Sequence, residues 1–212
     1  MEILHRIAQC LESGDDAEVP RLVGEALAAG IDPKSVLDEG LIAGMNVVGE
    51  KFRVHDIFLP DVLLAARAMY AGLDLLKPLL ARAGVASRGK VVIGSVQGDL
   101  HDIGKNLVGI MLKGAGFDVI DLGNDVAAAR FVAAARDQGA RVIGMSALLT
   151  TTMPVMKEVV ELLRKESLFG RIKTIIGGAP VSSDYAVEIG ADAYGYDCAQ
   201  AVESVKRLAA AG

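Results

Sequence analysis

The sequence predicts an α/β fold in which a bundle of four helices precedes a doubly wound parallel sheet. Two patterns carry this prediction. Up to about residue 84, apolar residues recur three or four positions apart, as on one face of a helix. From Lys90 onward, short β-branched runs alternate with helical stretches, and strict alternation of this kind builds a parallel sheet with helices on both faces. The change of period predicts two domains in the 212 residues.

Four helices are predicted in the first domain, at residues 1–13, about 18–29, 33 to about 52 and 60 to about 80. Gly14 interrupts the pattern after the first helix, and Gly30 is suited to end the second. Asp32 and Pro33 are suited to the N-cap and the first turn of the third. Because the connections are short, the helices are expected to pack as a bundle.

The second domain is predicted to begin after a linker at residues 85–89, which is small, polar and bounded by glycine. The domains are then residues 1–84 and 90–212. The predicted strands are residues 90–96, 117–123, 141–148, 173–178 and 191–196, and the predicted helices are 103–115, 127–138, 153–169, 183–189 and 198–211. Their apolar runs fit strands that are buried on both faces, as in Rossmann-like and flavodoxin-like sheets.

Composition and charge exclude several classes of function. The formal net charge is −5, so the chain lacks the basic character of a nucleic-acid-binding protein. Cys10 and Cys198 lie far apart and form no C-x-x-C motif, which favours reduced thiols. No apolar run reaches about 18 residues and no signal sequence is evident, so a cytoplasmic protein without a membrane segment is expected.

The stretch SVQGDLHDIGKN, residues 95–106, places a polar loop directly after the first predicted strand. Its histidine, His101, is one of three in the chain, and a solvated loop histidine with Asp99 as a helix cap is the ordinary explanation. A ligand site is the alternative. In an extended loop Asp99 could accept a hydrogen bond from one ring nitrogen of His101 and leave the other as a metal ligand. Gly104 would let a bulky group approach the backbone.

Two further segments are expected at the same edge of the sheet, because the carboxyl ends of parallel strands lie together. The first is SALLTTTMPV, which starts at Ser146 and is rich in hydroxyls, and the second is IIGGAP, which contains Gly177 and Gly178. A helix cap and a tight turn explain them in ordinary terms. No G-x-G-x-x-G or G-x-x-x-x-G-K-[ST] motif follows a strand, which argues against a dinucleotide or nucleoside triphosphate site.

A zinc site would need three or four ligands from the protein. His5 and His55 lie in the helical half and the cysteines are isolated, so His101 and one carboxylate are too few. A metal that brings its own equatorial ligands, as in haem or a corrinoid, needs only one.

The motifs resemble those of a known family. GDLHDIGKN, SALLTTT and IIGGAP look like the D-x-H-x-x-G, S-x-L and G-G motifs of cobalamin-binding domains, in the same order and at the expected strand ends. Residues 44–69, GMNVVGEKFRVHDIFLPDVLLAARAM, are similar to the cap segment of the methylcobalamin-binding module of methionine synthase. They are more similar still to the small corrinoid proteins that partner methanol, methylamine and O-demethylating methyltransferases.

The resemblance implies a role for each matching residue. His101 would be the lower axial ligand of cobalt in a base-off, His-on cobalamin or related corrinoid, with Asp99 bonded to it and the Thr152 hydroxyl extending this relay. Ser146 and Thr150 would line the tunnel of the nucleotide tail. The further cofactor contacts that the motifs imply are Gly98, Asp102, Ile103, Gly104 and Leu148.

Four more residues have implied roles that compete with ordinary packing. Gly177 and Gly178 would lie against the flat base of the tail, so a leucine at Gly178 is expected to abolish binding while the fold stays intact. Phe52 and Leu59 would shield the methyl group on the upper face. Ordinary packing of a helix pair is the other explanation for Phe52 and Leu59.

The function that the resemblance implies is methyl carriage. The corrinoid would accept a methyl group on Co(I) from a donor-specific methyltransferase. It would pass the group from methyl-Co(III) to an acceptor methyltransferase of the tetrahydrofolate or thiol type. A reductive activase would be a further partner, and the chain would not be catalytic without these enzymes. The helical cap would move aside for each partner, with residues 84–89 as the hinge.

Three rival interpretations stay open. The small subunit of an adenosylcobalamin mutase shares the D-x-H-x-x-G domain, although no substrate barrel is predicted in this chain. A cobalamin-dependent sensor would need an output domain, and light-sensing relatives use a cap Trp, whereas this chain has no Trp. A cobalamin store would need the same binding residues.

Overall fold

A computed structural model describes residues 2–82 and 87–210 and confirms the predicted fold class. The chain divides into two compact units, one made of Met1–Ser87 with Gly114–Gly116 and the other of Arg88–Lys113 with Phe117–Gly212. The predicted linker falls partly on residues 83–86, which lie outside the described part of the chain, and so does half of the predicted hinge.

The first unit is helical, as predicted. Its elements are α1 (Glu2–Glu12), α2 (Glu18–Ala28), α3 (Pro33–Ser35), a π-helical segment (Val36–Ile42), α4 (Ala43–Arg53) and α5 (Leu59–Arg82). Asp32 caps α3, since its carboxylate accepts a hydrogen bond from the Ser35 amide at 3.1 Å, and Pro33 follows in the first turn. The core is built from buried aliphatic side chains such as Ile7, Leu11, Leu22, Leu41, Met69 and Leu76.

The third predicted helix differs from a regular α-helix. The segments α3, Val36–Ile42 and α4 follow one another without a break, but the middle one has π-helical hydrogen bonding. Two glycines let α1 approach closely here: a Cβ on Gly40 would lie 3.1 Å from Ile7 Cγ2, and one on Gly44 would lie 2.8 Å from the Ala8 carbonyl oxygen. The π-helical segment therefore lies where two helices pack closely. The spacing of apolar residues in the sequence does not predict this departure from a regular α-helix.

The second unit is a five-stranded parallel sheet. Its strands are β1 (Lys90–Ser95), β2 (Asp118–Asp121), β3 (Val142–Ser146), β4 (Lys173–Gly177) and β5 (Ala193–Gly195), in the order β2-β1-β3-β4-β5. Its helices are α6 (Ile103–Gly114), α7 (Ala128–Gln138), α8 (Pro154–Lys165), α9 (Ser183–Ile189) and α10 (Cys198–Ala210). In this flavodoxin-like order the direction of winding reverses between β1 and β3, so ligands are expected beyond the carboxyl ends of these two strands.

The sheet positions this edge rigidly because its strands are buried. Residues Val91–Ser95 of β1 are all buried. A core cluster on α7, α8, β3 and β4 includes Phe131, Val132, Met156, Leu163, Ile143 and Ile176. The predicted strands are up to two residues longer than the observed ones at either end. At the carboxyl ends, the extra residues belong to the loops that form the site. Within the described residues, no helix is both long enough and apolar enough to span a membrane.

Candidate functional site

The loops after β1 and β3 meet at the carboxyl edge of the sheet, where the winding reverses. The strands end in register, with Ser95 beside Ser146, Ser146 beside Gly177, and Gly177 beside Gly195. The row is made only of serines and glycines, so the edge is lined by small side chains. All three motif segments singled out in the sequence therefore lie at one edge, which is where the fold class predicts a ligand.

Asp99 is the centre of the hydrogen-bond network at this edge. Its side chain has no exposed surface, and its two oxygens face five donors. Oδ1 accepts from the backbone amide of His101 at 3.0 Å and from the His101 ring nitrogen Nδ1 at 2.8 Å. Oδ2 accepts from the amides of Leu148 at 2.6 Å and Leu149 at 3.3 Å, and faces the Thr152 hydroxyl at 3.0 Å. One carboxylate thus joins the β1 and β3 loops.

The protonation of Asp99 determines which nitrogen of His101 is free. Burial raises the pKa of the Asp99 carboxyl, but the hydrogen bonds from Leu148, His101 and Thr152 outweigh burial and lower that pKa to about 2. At neutral pH the carboxylate can only accept, so Nδ1 of His101 carries the proton and donates it. In the neutral ring Nε2 then has the lone pair. Because 53% of the His101 side chain is exposed, the imidazole is open to a bound group.

The hydroxyl of Thr152 has two acceptors and only one proton. Its Oγ1 lies 3.0 Å from Asp99 Oδ2 and 2.8 Å from the Leu149 carbonyl oxygen. Thr152 is buried, so water does not compete strongly for these bonds. The hydroxyl can therefore donate to one acceptor or the other, and a change of charge at Asp99 would alter the preference.

The lowered pKa of Asp99 predicts a specific loss of stability in acid. The folded pKa of about 2 is below the ordinary value of 3.8, so the stabilising effect of the carboxylate is complete above about pH 4 and is lost as the pH falls through 2. The shift corresponds to about 2 kcal/mol of unfolding free energy. Urea unfolding at several pH values should show this dependence, and the variant Asp99→Asn should lack it. An equal pH dependence in both proteins would contradict the assignment.

Exposed apolar side chains flank His101 along the chain and occupy the β3 loop that Asp99 contacts. Leu100 and Ile103 on the β1 side, and Leu148 and Leu149 on the β3 side, are all exposed. Several exposed apolar residues in the loops of one site are typical of a binding surface rather than of a folded core. Gly104 is close to them on α6, and a Cβ there would meet no atom within 4 Å. Since no atom of the described residues requires a glycine at this helical position, the open space above it is available to a ligand.

The glycine pair after β4 is required by the protein itself. A Cβ on Gly177 would lie 2.9 Å from the Gly195 carbonyl oxygen, and one on Gly178 would lie 1.9 Å from the Ala147 carbonyl oxygen. Gly178 also has φ of +126°, which residues with a side chain rarely adopt. The expectation that a leucine at Gly178 would leave the fold intact is therefore wrong, because any side chain there collides with the backbone after β3.

Gly178→Ala is accordingly predicted to lower stability by about 3 kcal/mol or more, because a backbone segment must move. Gly89→Ala is a matched control, since Gly89 has φ of +136° but a Cβ there would meet no atom within 4 Å. Urea unfolding of the two variants without cofactor would separate the collision from the backbone strain. Equal losses in both would mean that contact with Ala147 contributes nothing.

The other predicted site residues occupy different environments. Ser146 is partly buried at the end of β3, Thr150 is exposed in the loop that follows, and Asp102 is partly buried just before α6. Phe52 and Leu59 belong to the helical unit, on α4 and at the start of α5, and both are only partly buried. Neither is fully buried, so both the shielding role and ordinary packing of the helix pair stay predictions.

Two contacts that the sequence analysis did not identify hold the loop of His101 in place. The Ser95 hydroxyl donates to the His101 carbonyl oxygen at 2.6 Å, and the Asn124 side-chain amide donates to the Leu100 carbonyl oxygen at 3.4 Å. Asn124 lies past the end of β2, so the strand-end rule that indicated the other loops also applies to it. Across residues 2–82 and 87–210, no three His, Cys, Asp or Glu side chains are grouped as ligands of a metal ion would be.

Comparison with known proteins gives two family matches that together cover most of the chain. Residues 89–204 match a B12 binding domain, and residues 3–77 match a second type of B12 binding domain. A corrinoid protein of Desulfitobacterium hafniense is 42% identical over 211 residues, covering 98% of each chain. Trimethylamine corrinoid protein 1 of Methanosarcina mazei is 42% identical over 207 residues, covering 97% of this chain and 96% of the relative.

A solved structure agrees with these matches. The methanol:cobalamin methyltransferase complex MtaBC of Methanosarcina barkeri contains a chain with a TM-score of 0.87 and 33% identity, covering 100% of this chain and 81% of that one. The two family matches span both units, and the B12 binding domain matched at residues 89–204 contains His101 and Asp99. The chain therefore belongs to the cobalamin-binding corrinoid proteins of methyltransferase systems.

Proposed function

We propose that the chain is a methyl carrier, which takes a methyl group from a donor-specific methyltransferase and yields it to an acceptor methyltransferase. The observation that carries the proposal is the half-exposed imidazole of His101, whose Nδ1 is held at 2.8 Å by the buried Asp99. A corrinoid, when bound, supplies a cobalt centre that can both accept and release a methyl group. The protein would supply one nitrogen ligand from His101, a binding surface and access for partners.

The residues present fit such a group. His101 offers one neutral nitrogen ligand, which is enough for a metal whose equatorial positions are already filled. The exposed Leu100, Ile103, Leu148 and Leu149 offer an apolar surface for a macrocycle. The small residues along the strand ends, together with the open space above Gly104, leave room for parts of the cofactor close to the backbone. Ser146, Thr150, Gly177 and Gly178 are proposed to contact its nucleotide tail.

The network around Asp99 couples ligation to protonation. With Nε2 of His101 holding the metal, the ring would be neutral and Nδ1 would donate to Asp99. Without the metal, Nε2 would be free to exchange a proton, while Nδ1 would keep its bond to the ionised Asp99. Thr152 would respond at the far side of Asp99, since its hydroxyl has a second acceptor in the Leu149 carbonyl. These residues therefore have the arrangement of a proton relay.

Partners are proposed from chemistry and from the names of the relatives. Corrinoid proteins for trimethylamine, and the MtaBC methyltransferase complex, are among the matches. We infer that this chain also works with a donor methyltransferase, with an acceptor methyltransferase of the tetrahydrofolate or thiol type, and with a reductive activase. Both cysteines, Cys10 and Cys198, are free thiols, which suits the proposed location in the cytoplasm.

The experiment that tests methyl carriage uses holoprotein reconstituted with aquocobalamin and reduced to Co(I). A methyltransferase encoded in the same genome and its methylated donor should change the visible spectrum to that of the methylated cofactor. An acceptor methyltransferase with its tetrahydrofolate or thiol substrate should then reverse the change. If the protein binds the corrinoid tightly but no donor and partner pair loads the methyl group, a store or a sensor becomes the better interpretation.

Gly104→Leu tests the binding surface separately from methyl transfer. Because a Cβ at this position would meet nothing, the change should leave the stability of the apoprotein equal or slightly higher, by up to about 1 kcal/mol. The leucine would occupy space proposed for the cofactor, so the Kd for aquocobalamin should rise about tenfold or more. Gly24→Leu is the matched control, since Gly24 lies within α2 and also has nothing within 4 Å. Normal binding in Gly104→Leu would place the cofactor elsewhere.

A further inference from the structure

Hydrogen bonds restrain the loop that carries His101 at nearly every peptide group. Asp99 N–H donates to the Val96 carbonyl oxygen at 3.0 Å, in addition to the contacts of Ser95 and Asn124 with the carbonyls of His101 and Leu100. Two more bonds come from Asp125, which lies in the loop after β2. Its Oδ1 accepts from the Gly98 amide at 2.8 Å, and its backbone amide donates to the Asp99 carbonyl oxygen at 3.0 Å.

Asp125 therefore holds the backbone on both sides of Asp99. One bond is accepted from the Gly98 amide, one residue before Asp99, and the other is donated to the carbonyl oxygen of Asp99 itself. Asp125 has φ of +54°, in the left-handed region that few residues other than glycine and the Asx pair adopt readily. In this conformation its amide and its carboxylate both point to the same loop. An aspartate fits this conformation, and because both its amide and its carboxylate are engaged with the same loop, the geometry points to a role for this residue.

The loop of Asp125 is itself firmly anchored. Lys105 on α6 is buried and donates to both oxygens of Asp121, at 2.7 and 2.9 Å, and Asp121 Oδ1 accepts from the Gly123 amide at 2.8 Å. The amide of Val126 donates to the Ser95 carbonyl oxygen at 3.0 Å, and the amide of Ser95 donates to the Gly123 carbonyl oxygen at the same distance. Asp125 is thus joined to the end of β1 and to α6, the two elements that flank His101.

We propose that Asp125 is a positioning residue for the axial ligand: it sets the backbone of Asp99, and through Asp99 it sets the orientation of the His101 imidazole. The inference rests on the proposed function, because it assumes that His101 binds cobalt. Asp99 orients the ring through Oδ1 and is itself held on its other side by the β3 loop. Among the described residues of the loop after β2, Asp125 makes the bonds to Gly98 and Asp99, and Asn124 makes a longer one to the Leu100 carbonyl oxygen. Loss of the Asp125 bonds would therefore let the Asp99 carboxylate tilt and the ring turn.

The test uses full-length holoprotein and three substitutions at Asp125. Asp125→Asn keeps a side-chain oxygen acceptor and tolerates the left-handed backbone, so it should behave as the unaltered protein. Asp125→Gly keeps the backbone conformation and the amide but removes the acceptor of the Gly98 amide. Asp125→Ser, whose hydroxyl is too short to replace the carboxylate, provides a second removal if the glycine variant is unstable. Ser167→Gly is the matched control, because Ser167 has φ of +57° at the far end of α8, at the opposite edge of the sheet.

Three measurements are made on each variant: the Kd for aquocobalamin, the nitrogen hyperfine splitting of the Co(II) form in electron paramagnetic resonance, and the exchange rate of the Gly98 amide in the apoprotein. In Asp125→Gly the Kd and the exchange rate should each rise about tenfold, as expected for the loss of one hydrogen bond to a charged acceptor. Part of the imidazole-ligated signal should be lost. Asp125→Asn and Ser167→Gly should stay within about twofold of the unaltered protein.

Two results would overturn the inference. One is an Asp125→Gly variant, or Asp125→Ser in its place, with the same splitting and affinity as the unaltered protein. The other is an equal effect of Ser167→Gly, which would assign the change to general loosening of the chain. Absence of the imidazole splitting in the unaltered holoprotein is a different result. It would refute His101 as the ligand, and with it the proposed function, independently of Asp125.

Discussion

Replacing His101 with alanine is expected to remove the protein nitrogen from cobalt and to leave the fold of the apoprotein unchanged. The side chain is 53% exposed and makes one hydrogen bond, to Asp99. The two backbone bonds of this residue, from its amide to Asp99 and from Ser95 to its carbonyl oxygen, do not need the imidazole. The unfolding free energy should therefore change by about 1 kcal/mol or less, whereas the Kd for aquocobalamin should rise by roughly a hundredfold.

Isotope labelling makes the test of His101 specific. In the Co(II) form, an axial ¹⁴N ligand splits the signal into triplets and an axial ¹⁵N ligand splits it into doublets. Protein labelled with ¹⁵N-histidine and loaded with unlabelled cofactor should show doublets, since the cofactor's own base cannot produce them. His101→Ala should show no splitting from the label, and added imidazole should restore triplets. His5→Ala and His55→Ala are the controls, because they remove the other two histidines. Doublets that survive in His101→Ala would refute the assignment.

Asp99→Asn is expected to abolish imidazole ligation although the two side chains have nearly the same shape. Each oxygen of Asp99 faces donors: the amide and ring nitrogen of His101 on one side, and the amides of Leu148 and Leu149 with the Thr152 hydroxyl on the other. The NH₂ group of an asparagine must therefore point at donors in either orientation. Since the site is fully buried, we expect a loss of about 1–3 kcal/mol of stability.

The less costly orientation of the asparagine directs the NH₂ group toward His101. In this orientation the ring can move its proton from Nδ1 to Nε2, so that Nδ1 accepts from the NH₂ group. The backbone amide of His101 is then the one donor left facing the NH₂ group. An imidazole with the proton on Nε2 has no lone pair there for a metal. Asp99→Asn should thus lose the ¹⁵N doublets of labelled histidine even though His101 is present.

The control for charge alone is Asp137→Asn, an exposed acid on α7 that pairs with Arg136. It should bind corrinoid and show the doublets like the unaltered protein. If Asp99→Asn also kept full histidine ligation, the tautomer of His101 would not depend on Asp99, and the proton relay would have to be abandoned.

Much of this architecture could be predicted from local sequence. The alternation of β-branched runs with helical stretches after Lys90 predicts the parallel sheet because each run is buried on both faces in its own segment. The pairing of Asp99 with His101 could also be predicted, since two residues separated by one position in an extended loop project to the same side. Because the carboxyl ends of parallel strands lie at one edge, the three motif segments could be predicted to lie together. The same argument holds for the loop after β2, where Asn124 and Asp125 lie, but no motif there indicated a role.

Other features depend on which residues the fold brings together from distant parts of the chain. The Leu148 amide and the Thr152 hydroxyl reach Asp99 across separations of 49 and 53 residues, and these contacts lower its pKa. Gly178 shows the same dependence, because only the register between β3 and β4 places the Ala147 carbonyl oxygen where its side chain would be. Backbone amides carry no sequence signal of their own, so a pattern of residue types cannot indicate that they point into a site.

The sequence by itself therefore determined the two kinds of unit, the parallel sheet, the loop histidine with its carboxylate, and the family to which they belong. Only the tertiary structure decided that Asp99 has no exposed surface and faces five donors, that Gly104 is open while Gly178 is not, and that Asp125 holds the loop from the side of β2. The physical reason is that period and spacing describe neighbours along the chain. The strength of a hydrogen bond and the room beside a glycine are properties of neighbours in space, and these follow from strand order and register.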